Sequence, residues 1–302
     1  MQWLKKVFKP KNFIKILINP NLAVAHFKYS ISRILHDFLF IFYKKHKFNI
    51  LFIAGLPMSA TTKIKNMLGK VPGYFTRYTP MPYDVAVNQD ISQSAFRYVP
   101  SWSYTLFKTH LNPWEENIKL IKRNNVKKVI VSYRDLRDVV VARYNRLMKF
   151  PKKKYEPYYA EYHKMTKEDA INHCIDVVGK NYPKWIYGWF KVSQSNTDFV
   201  HFCRFEDLIS DPKLEFIKMI NFYNIKLDDK KIDQIVKETE GKKDMVTNVN
   251  EALILPWAHS SNFRLGKIGS WKDEFSLSNI ENFKKIAGSD LINLNYEKDL
   301  NW

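Results

Sequence analysis

One short stretch, residues 49–68, constrains the fold of this chain more than any other. It starts with the apolar, β-rich run ILFIA at positions 50–54, which is typical of a buried parallel strand, and Gly55 and Pro57 end that run abruptly. The small residues SATT follow at positions 59–62, and apolar residues then recur at helical spacing. The stretch therefore predicts a strand, a tight turn and a helix that begins among the small residues.

The turn between this strand and helix has the chemistry of an anion-binding site. The first N–H groups of a helix have no intrahelical partner, and the helix dipole favours negative charge there. The spacing is similar to the phosphate loop G-x-x-x-x-G-K-[ST], but Ala60 replaces the second glycine and Thr61 the lysine, which disfavours a nucleoside-triphosphate-hydrolysing loop. Strands, proline turns and capped helices also occur for purely structural reasons, so this stretch alone leaves both interpretations open.

The composition indicates a folded globular protein. A chain of 302 residues with 45% hydrophobic residues is large enough for one α/β domain with an extension, and we find no internal repeat or low-complexity linker. The formal net charge of +19 favours a polyanionic ligand, nucleic acid or an anionic membrane surface, although a lysine-rich genome gives the same excess without a partner. Cys174 and Cys203 form no paired motif, so we expect no disulfide framework, no zinc site and a reducing compartment.

Residues 1–48 form a basic, aromatic extension, and residues 49–302 form the α/β domain. The extension carries ten Lys or Arg residues against the single acid Asp37, and its apolar runs are too short for a signal peptide or a membrane span, which predicts a cytoplasmic location. A helix with one apolar face is predicted after Pro20, with that face at positions 31, 34, 35, 38, 39 and 42. The face either packs on the domain or lies on anionic lipid at the inner face of a membrane.

Two more predicted strands end at residues that suit a ligand site. The run TLFK at 105–108 leads to His110, and the apolar strand within 126–133 leads to Arg134. Ligands of open α/β sheets bind beyond the carboxyl ends of the strands, so His110 and Arg134 are candidate site residues. The structural alternatives are a packed histidine and a local salt bridge from Arg134 or Arg137 to Asp138. Asp135 is expected to cap the helix that follows.

Five stretches, in this order along the chain, resemble the sulfotransferase family that uses 3′-phosphoadenosine 5′-phosphosulfate. Residues 57–62, PMSATT, are similar to the family's phosphosulfate loop, usually PKSGTT, and residues 108–111 match its KTHL segment. Residues 134–144, RDLRDVVVARY, resemble its 3′-phosphate motif, and residues 205–212 resemble its Y-E-D-[LM]…D/N-P stretch. Residues 264–272, RLGKIGSWK, are similar to its R-K-G-x-x-G-D-W-K tail.

The resemblance covers about residues 49–275 and implies a P-loop-type three-layer α/β domain with a central, mostly parallel sheet and no metal. It implies His110 as the general base that takes a proton from a hydroxyl or amine acceptor. Lys108 and the loop amides would stabilise charge on the transferring sulfuryl group and the leaving phosphate. Arg134 would bind the 3′-phosphate, and Arg264 with the Gly266 backbone would close over it.

The predicted donor site departs from the family pattern at six positions: Met58 replaces lysine or arginine, Ala60 glycine, Lys63 tryptophan, Ala142 serine, Phe205 tyrosine and Leu265 lysine. The donor positions that keep the pattern are Ser59, Thr61, Thr62, Arg134, Arg264 and Gly266. A lost preorganised contact lowers a rate by on the order of 10²–10³. The predicted function is therefore a sulfotransferase, with activity reduced by Met58, and the alternative is an impaired member that binds a nucleotide or a membrane surface.

The acceptor is expected to lie against the aromatic loops at 76–103 and 155–162. Long loops within a compact domain are typical binding segments. Their aromatic content suits a sugar, a lipid headgroup or a phenol equally well, and nucleic acid is disfavoured as a partner.

Overall fold

A five-stranded parallel sheet organises the chain in the computed structural model, which describes residues 46–77, 89–96, 99, 103–149, 161–240 and 267–302, and eight helical positions between 24 and 38. The strand order is β2-β3-β1-β4-β5. The elements are β1 (Ile50–Gly55), α1 (Thr61–Leu68), β2 (Phe75–Arg77), β3 (Thr105–Thr109), α2 (Glu115–Arg123), β4 (Val129–Tyr133), α3 (Leu136–Lys149), α4 (Lys167–Ser195), β5 (Val200–Arg204), α5 (Phe205–Ser210), α6 (Pro212–Phe222), α7 (Asp229–Thr239), α8 (Trp271–Glu274) and α9 (Leu277–Asn293).

The sheet has a core on each face. Alternate residues of a strand point to opposite faces, and the fully buried central strand β1 places Phe52 and Ala54 in one apolar cluster and Leu51 and Ile53 in the other. The first cluster is completed by α2, α3, α4 and α9, and the second by α1, α6 and α7. The predicted three-layer α/β fold is therefore confirmed.

The register of the sheet brings three loops to one edge. Ala54 of β1 pairs with Thr109 of β3, and Gly55 of β1 pairs with Ser132 of β4. Because the strands are parallel, the segments that follow them leave the sheet at the same edge. The phosphate-loop candidate, His110 and Arg134 are thereby neighbours.

The prediction of an irregular segment from residue 76 to residue 103 is wrong at its start. Thr76 and Arg77 belong to the edge strand β2, which pairs with β3, and a short 3-10 helix covers Gln93–Ala95. The buried Arg77 side chain donates to the Thr105 hydroxyl at 3.1 Å and to the Ser103 hydroxyl at 3.0 Å. These side-chain bonds join the three-residue strand to the neighbouring chain segment. Residues 78–88, 97–98 and 100–102 of this segment lie outside the described residues.

The described positions of the N-terminal helix turn their apolar side chains outward. Val24, Phe27, Ile31, Ile34, Leu35 and Phe38 are between 39% and 75% exposed. His36 is buried instead, and its ring stacks on Phe75 of the edge strand with 5.2 Å between the centroids. Positions 31, 34, 35 and 38 of the predicted apolar face are thus exposed among the described residues. Pro20, Leu39 and Phe42 lie outside the described residues.

Candidate active site

The loop from β1 to α1 is fastened to the neighbouring strand β4. The Leu56 N–H donates to the Ser132 carbonyl at 2.9 Å. The fully buried Ser59 hydroxyl donates to the Leu56 carbonyl at 2.6 Å and lies 2.8 Å from the Ser132 hydroxyl. A Cβ on Gly55 would lie 2.2 Å from the Ser132 hydroxyl, so only glycine fits there. The resemblance predicts that Ser59 contacts the nucleotide that donates the sulfuryl group. Its hydroxyl instead holds the loop in place.

The N-terminus of α1 presents uncapped amides. Ala60 is the N-cap residue, and no side chain caps the helix. Ala60 has φ 61° and Met58 has φ 71°, both in the left-handed region that favours glycine. Such a conformation costs on the order of 1 kcal/mol or more for each residue and is found most often at functional sites. The first amides of α1 can therefore bind an anion.

Arg134 joins three parts of the predicted donor site. Its Nη1 donates to the Met58 carbonyl at 3.4 Å, and its Nη2 donates to the Lys267 carbonyl at 2.9 Å and to Asp138 at 3.2 Å. Its guanidinium Cζ lies 3.9 Å from the centre of the Phe205 ring. Phe205 thus supports the arginine as an aromatic platform. The buried Arg134 Nε has no hydrogen-bond partner among the described residues, so the guanidinium retains an unused donor.

Asp138 holds the turn at residues 267–271 against α3. Its fully buried carboxylate accepts from the Gly269 N–H at 2.9 Å, the Ser270 hydroxyl at 2.8 Å and the Trp271 N–H at 3.1 Å. It also pairs with Arg134, as the structural alternative for that arginine predicts. The Asp138 carboxylate therefore positions Arg134, which is expected to bind the 3′-phosphate. It also positions the segment that follows residues 264–266.

A second ionic cluster lies at the start of α3. Asp135 accepts from the Arg137 N–H at 2.9 Å, which confirms its capping role, and also pairs with the Arg137 side chain. The Arg137 guanidinium lies 4.1 Å from the centre of the Trp271 ring and 4.5 Å from that of Trp302. This buried arrangement ties the C-terminal segment to the helix that carries the site.

His110 projects from the carboxyl end of β3 beside the loop. Its Nδ1 lies 2.5 Å from the Gly55 carbonyl, and because a carbonyl only accepts, Nδ1 carries the proton. The lone pair of the neutral ring is then on Nε2. Burial and the nearby charges of Lys108 and Arg146 lower the pKa of His110 to about 3, against the raising effect of the Gly55 hydrogen bond. His110 is therefore neutral at pH 7 and can accept a proton.

The other predicted site residues fall into three groups. Thr61 is buried and Thr62 half-buried at the start of α1, where Lys63 is half-buried as well and burial lowers its pKa. Lys108 is half-buried on β3, opposite Ile53 of β1, and Ala142 is half-buried two turns along α3 from Arg134. Arg264, Leu265 and Gly266 lie outside the described residues.

Sequence patterns missed two residues that shape this site. Ser132 fastens the loop, and the signal for it was a small polar residue within the buried strand VIVSY, two positions before Arg134. Asp138 was predicted only as an ion-pair partner of Arg134. Its bonds to residues 269–271 join positions more than 130 apart in the sequence, so no local pattern could reveal them. In the part of the chain that the structure describes, no group of three or more His, Cys, Asp or Glu residues is placed to hold a metal ion.

The chain belongs to the sulfotransferase family, whose sulfotransferase-domain model matches residues 32–295. It is 30% identical to Sulfotransferase 1C2 of Homo sapiens over 194 residues, which span 60% of each protein. It is 26% identical to Flavonol 3-sulfotransferase of Flaveria bidentis, over 82% of this chain and 83% of that protein.

Solved structures show the same fold. A mouse sulfotransferase complexed with PAP aligns with a TM-score of 0.58 at 19% identity, over 83% of this chain and 86% of that one. Retinol dehydratase in complex with androsterone and inactive cofactor PAP aligns with a TM-score of 0.52 at 16% identity, over 80% of each chain.

Proposed function

We propose that this protein transfers a sulfuryl group from 3′-phosphoadenosine 5′-phosphosulfate to a hydroxyl or amine acceptor, with His110 as the general base. The observation that carries the proposal is the bond from His110 Nδ1 to the Gly55 carbonyl at 2.5 Å. That bond leaves the accepting lone pair on Nε2, and His110 thereby lies next to the loop whose helix N-terminus has no side-chain cap, which supports the proposal. Family membership and the aligned sulfotransferase structure complexed with PAP support this donor.

The residues of the chain then have separate roles. His110 Nε2 takes the proton of the acceptor as the acceptor oxygen or nitrogen forms its bond to sulfur. The α1 amides and Lys108 stabilise the negative charge that grows on the 5′-phosphate as its bond to sulfur breaks. The Arg134 guanidinium binds the 3′-phosphate as a charged hydrogen-bond donor. The products are the sulfated acceptor, 3′,5′-adenosine bisphosphate and the proton on His110.

A catalytically impaired, nucleotide-binding protein is the second candidate. One observation favours it: Met58, an uncharged residue, lies in the loop where the family pattern has a cation, and its carbonyl accepts from Arg134 at 3.4 Å. Lys63 is half-buried on α1, and burial disfavours its charge. Both candidate functions include binding of the nucleotide, and only the first includes sulfuryl transfer.

Thermal unfolding with 3′,5′-adenosine bisphosphate tests the donor site directly. At one hundred times its dissociation constant, the bisphosphate is expected to stabilise the native state by about 2.7 kcal/mol. Equal concentrations of sulfate and of ATP are the controls. Equal shifts from all three ligands would contradict a donor site, while a specific shift without turnover would support the impaired candidate.

We also propose that the N-terminal extension attaches the protein to the cytoplasmic face of anionic membranes. Six apolar side chains at positions 24–38 are exposed among the described residues, and the extension carries ten basic residues against one acid. A helix of this kind lies in the interface plane of a bilayer, and each nearby Lys or Arg contributes about 1 kcal/mol toward an anionic surface. In the part of the chain that the structure describes, none of the helices has the length and apolar composition of a membrane-spanning segment.

Vesicle flotation tests this attachment with the full chain. Binding is expected to vesicles that contain phosphatidylserine and to be much weaker with phosphatidylcholine alone. Replacing Phe27 and Phe38 by serine should weaken it, whereas Leu214→Ser, at a 47% exposed leucine of α6, should not. Equal binding of both lipids would contradict the proposal, and concentration-dependent self-association without vesicle binding would assign the face to a second copy.

A further inference from the structure

The Glu206 carboxylate joins two distant parts of the chain beside the predicted donor site. Glu206 lies in the first turn of α5, directly after Phe205, whose ring supports the Arg134 guanidinium. Its Oε1 accepts from the Asp135 N–H at 3.1 Å, and its Oε2 accepts from the Tyr296 hydroxyl at 2.9 Å. Each carboxylate oxygen of Glu206 therefore has a donor from within the protein.

The bond to the Asp135 N–H acts on the peptide that carries Arg134. The atoms from the Arg134 Cα to the Asp135 Cα lie in one plane, so a bond to this N–H restrains the backbone from which the Arg134 side chain leaves. Asp135 is buried at the start of α3, and its carbonyl accepts the helical bond of the Val139 N–H at 3.0 Å. The N–H at such a position has no acceptor within the helix, and leaving it buried without one is costly. Glu206 supplies that acceptor.

The second bond of Glu206 fixes the direction of its carboxylate. Tyr296 follows α9, and its backbone N–H donates to the Leu291 carbonyl at 2.8 Å. The Arg204 guanidinium Cζ lies 4.4 Å from the centre of the Tyr296 ring. The tyrosine is thus held through both its backbone and its ring. Its hydroxyl gives Glu206 a fixed partner on the side away from Asp135.

Arg134 is consequently held at both ends of its side chain. Its guanidinium is held by Asp138 at 3.2 Å and by the Lys267 carbonyl at 2.9 Å, and its backbone is restrained through Glu206. A guanidinium binds a phosphate best when its plane faces the oxygens, so its direction decides how many hydrogen bonds form. A misplacement of about 1 Å in a site can cost on the order of 10² in its function.

We infer that Glu206 is a positioning residue for the 3′-phosphate: through the Asp135 N–H, its carboxylate directs Arg134 and sets the preference for nucleotides that carry this phosphate. The inference rests on the proposed donor site and adds a residue to it. Glu206 acts without touching the nucleotide, because its oxygens accept from the protein and its negative charge would repel a phosphate.

Two nucleotides that differ only in the 3′-phosphate test the inference. The probes are 3′,5′-adenosine bisphosphate and adenosine 5′-monophosphate, titrated by calorimetry well below the unfolding temperature of each variant. The unmodified protein should bind the bisphosphate about 100-fold more tightly, as expected for charged hydrogen bonds. Glu206→Ala should lower this ratio about tenfold and leave the affinity for the monophosphate nearly unchanged. A role in folding alone would lower the unfolding temperature and leave the ratio as it was.

A double-mutant cycle shows whether Glu206 acts through Arg134. Arg134→Gln should itself remove most of the ratio, and Glu206→Ala added to it should cause no further loss. The same loss from Glu206→Ala in both backgrounds would overturn the inference, because Glu206 would then act independently of the arginine.

Glu215→Ala is the matched control, since Glu215 is a buried carboxylate of α6 that pairs with Lys218 at 2.5 Å, and it should keep the full ratio. If Glu206→Ala does not fold, Tyr296→Phe provides the measurement. It removes only the hydroxyl that holds Oε2, and the ratio should fall about threefold. An unchanged ratio in the variant that folds makes the inference alone wrong. Equal binding of both nucleotides by the unmodified protein would contradict the donor site itself, and the inference with it.

Discussion

Replacing His110 by alanine is expected to lower the rate of sulfuryl transfer by about 10²–10⁴ and to leave the affinity for the bisphosphate nearly unchanged. The imidazole is placed to take a proton from the acceptor, whereas the bisphosphate is expected on the α1 amides and Arg134. Single-turnover measurements with labelled donor and a broad acceptor pool report the rate. His46→Ala is the matched control, because His46 precedes β1 at the opposite edge of the sheet.

The pH dependence gives a second reading of the same residue. Because the folded-state pKa of His110 is lowered to about 3 from 6.5, the base stays neutral as the pH falls from 7 to 5. The value of kcat/KM for an acceptor that does not titrate in this range should stay flat there. The unfolded state binds the extra proton below pH 6.5, so His110 contributes stability above that pH, and this contribution is lost as the pH falls toward 3. A rate of sulfuryl transfer in His110→Ala equal to that of the unmodified protein would exclude His110 as the general base.

Replacing Asp138 by alanine is expected to lower the free energy of unfolding by about 3–5 kcal/mol. The substitution removes one fully buried carboxylate and leaves Arg134, two backbone N–H groups and the Ser270 hydroxyl without their acceptor. Denaturant unfolding measures the loss. The bisphosphate shift should also shrink, because the 267–271 turn and Arg134 lose their common anchor.

Asp233→Ala is the matched control for this prediction. Asp233 pairs with Lys213 at the surface, where both side chains are about half exposed, and such pairs contribute about 0–1 kcal/mol. If Asp138→Ala does not fold, Asp138→Asn provides the measurement, since it keeps one acceptor oxygen. A loss no larger than that of Asp233→Ala would contradict the anchoring role.

Much of the sheet could be read from the sequence because its central strands are short apolar runs bounded by turn residues. The runs that became β1 and β4 are buried on both faces and lead directly into loops. Strand β2 could not be read, since its three residues gain their place from the bonds of Arg77 to Ser103 and Thr105. Helix α9 was missed although Ser276 and Asn279 form a capping box at its start.

Local sequence signals predicted the site residues that follow strand ends. They did not predict the residues whose role depends on contacts with distant parts of the sequence. His110 and Arg134 follow strand ends, which is a local signal. The inward turn of Ser59 involves its contact with Ser132 in another strand, and the left-handed conformation of Ala60 has no local sequence signal. The resemblance predicts that Phe205 contacts the nucleotide that donates the sulfuryl group, whereas its ring lies against the Arg134 guanidinium.

The contacts of Gly55 limit how the site of such a protein can change during evolution. Its carbonyl holds His110, and its missing side chain makes room for Ser132 and for Thr61 at the first turn of α1. One residue thus sets both the direction of the base and the position of the loop. A mutation that shifts the Gly55 backbone to fit a different sulfuryl donor would also change the orientation of the His110 ring. Donor binding and base geometry therefore depend on the same residue and are expected to change together.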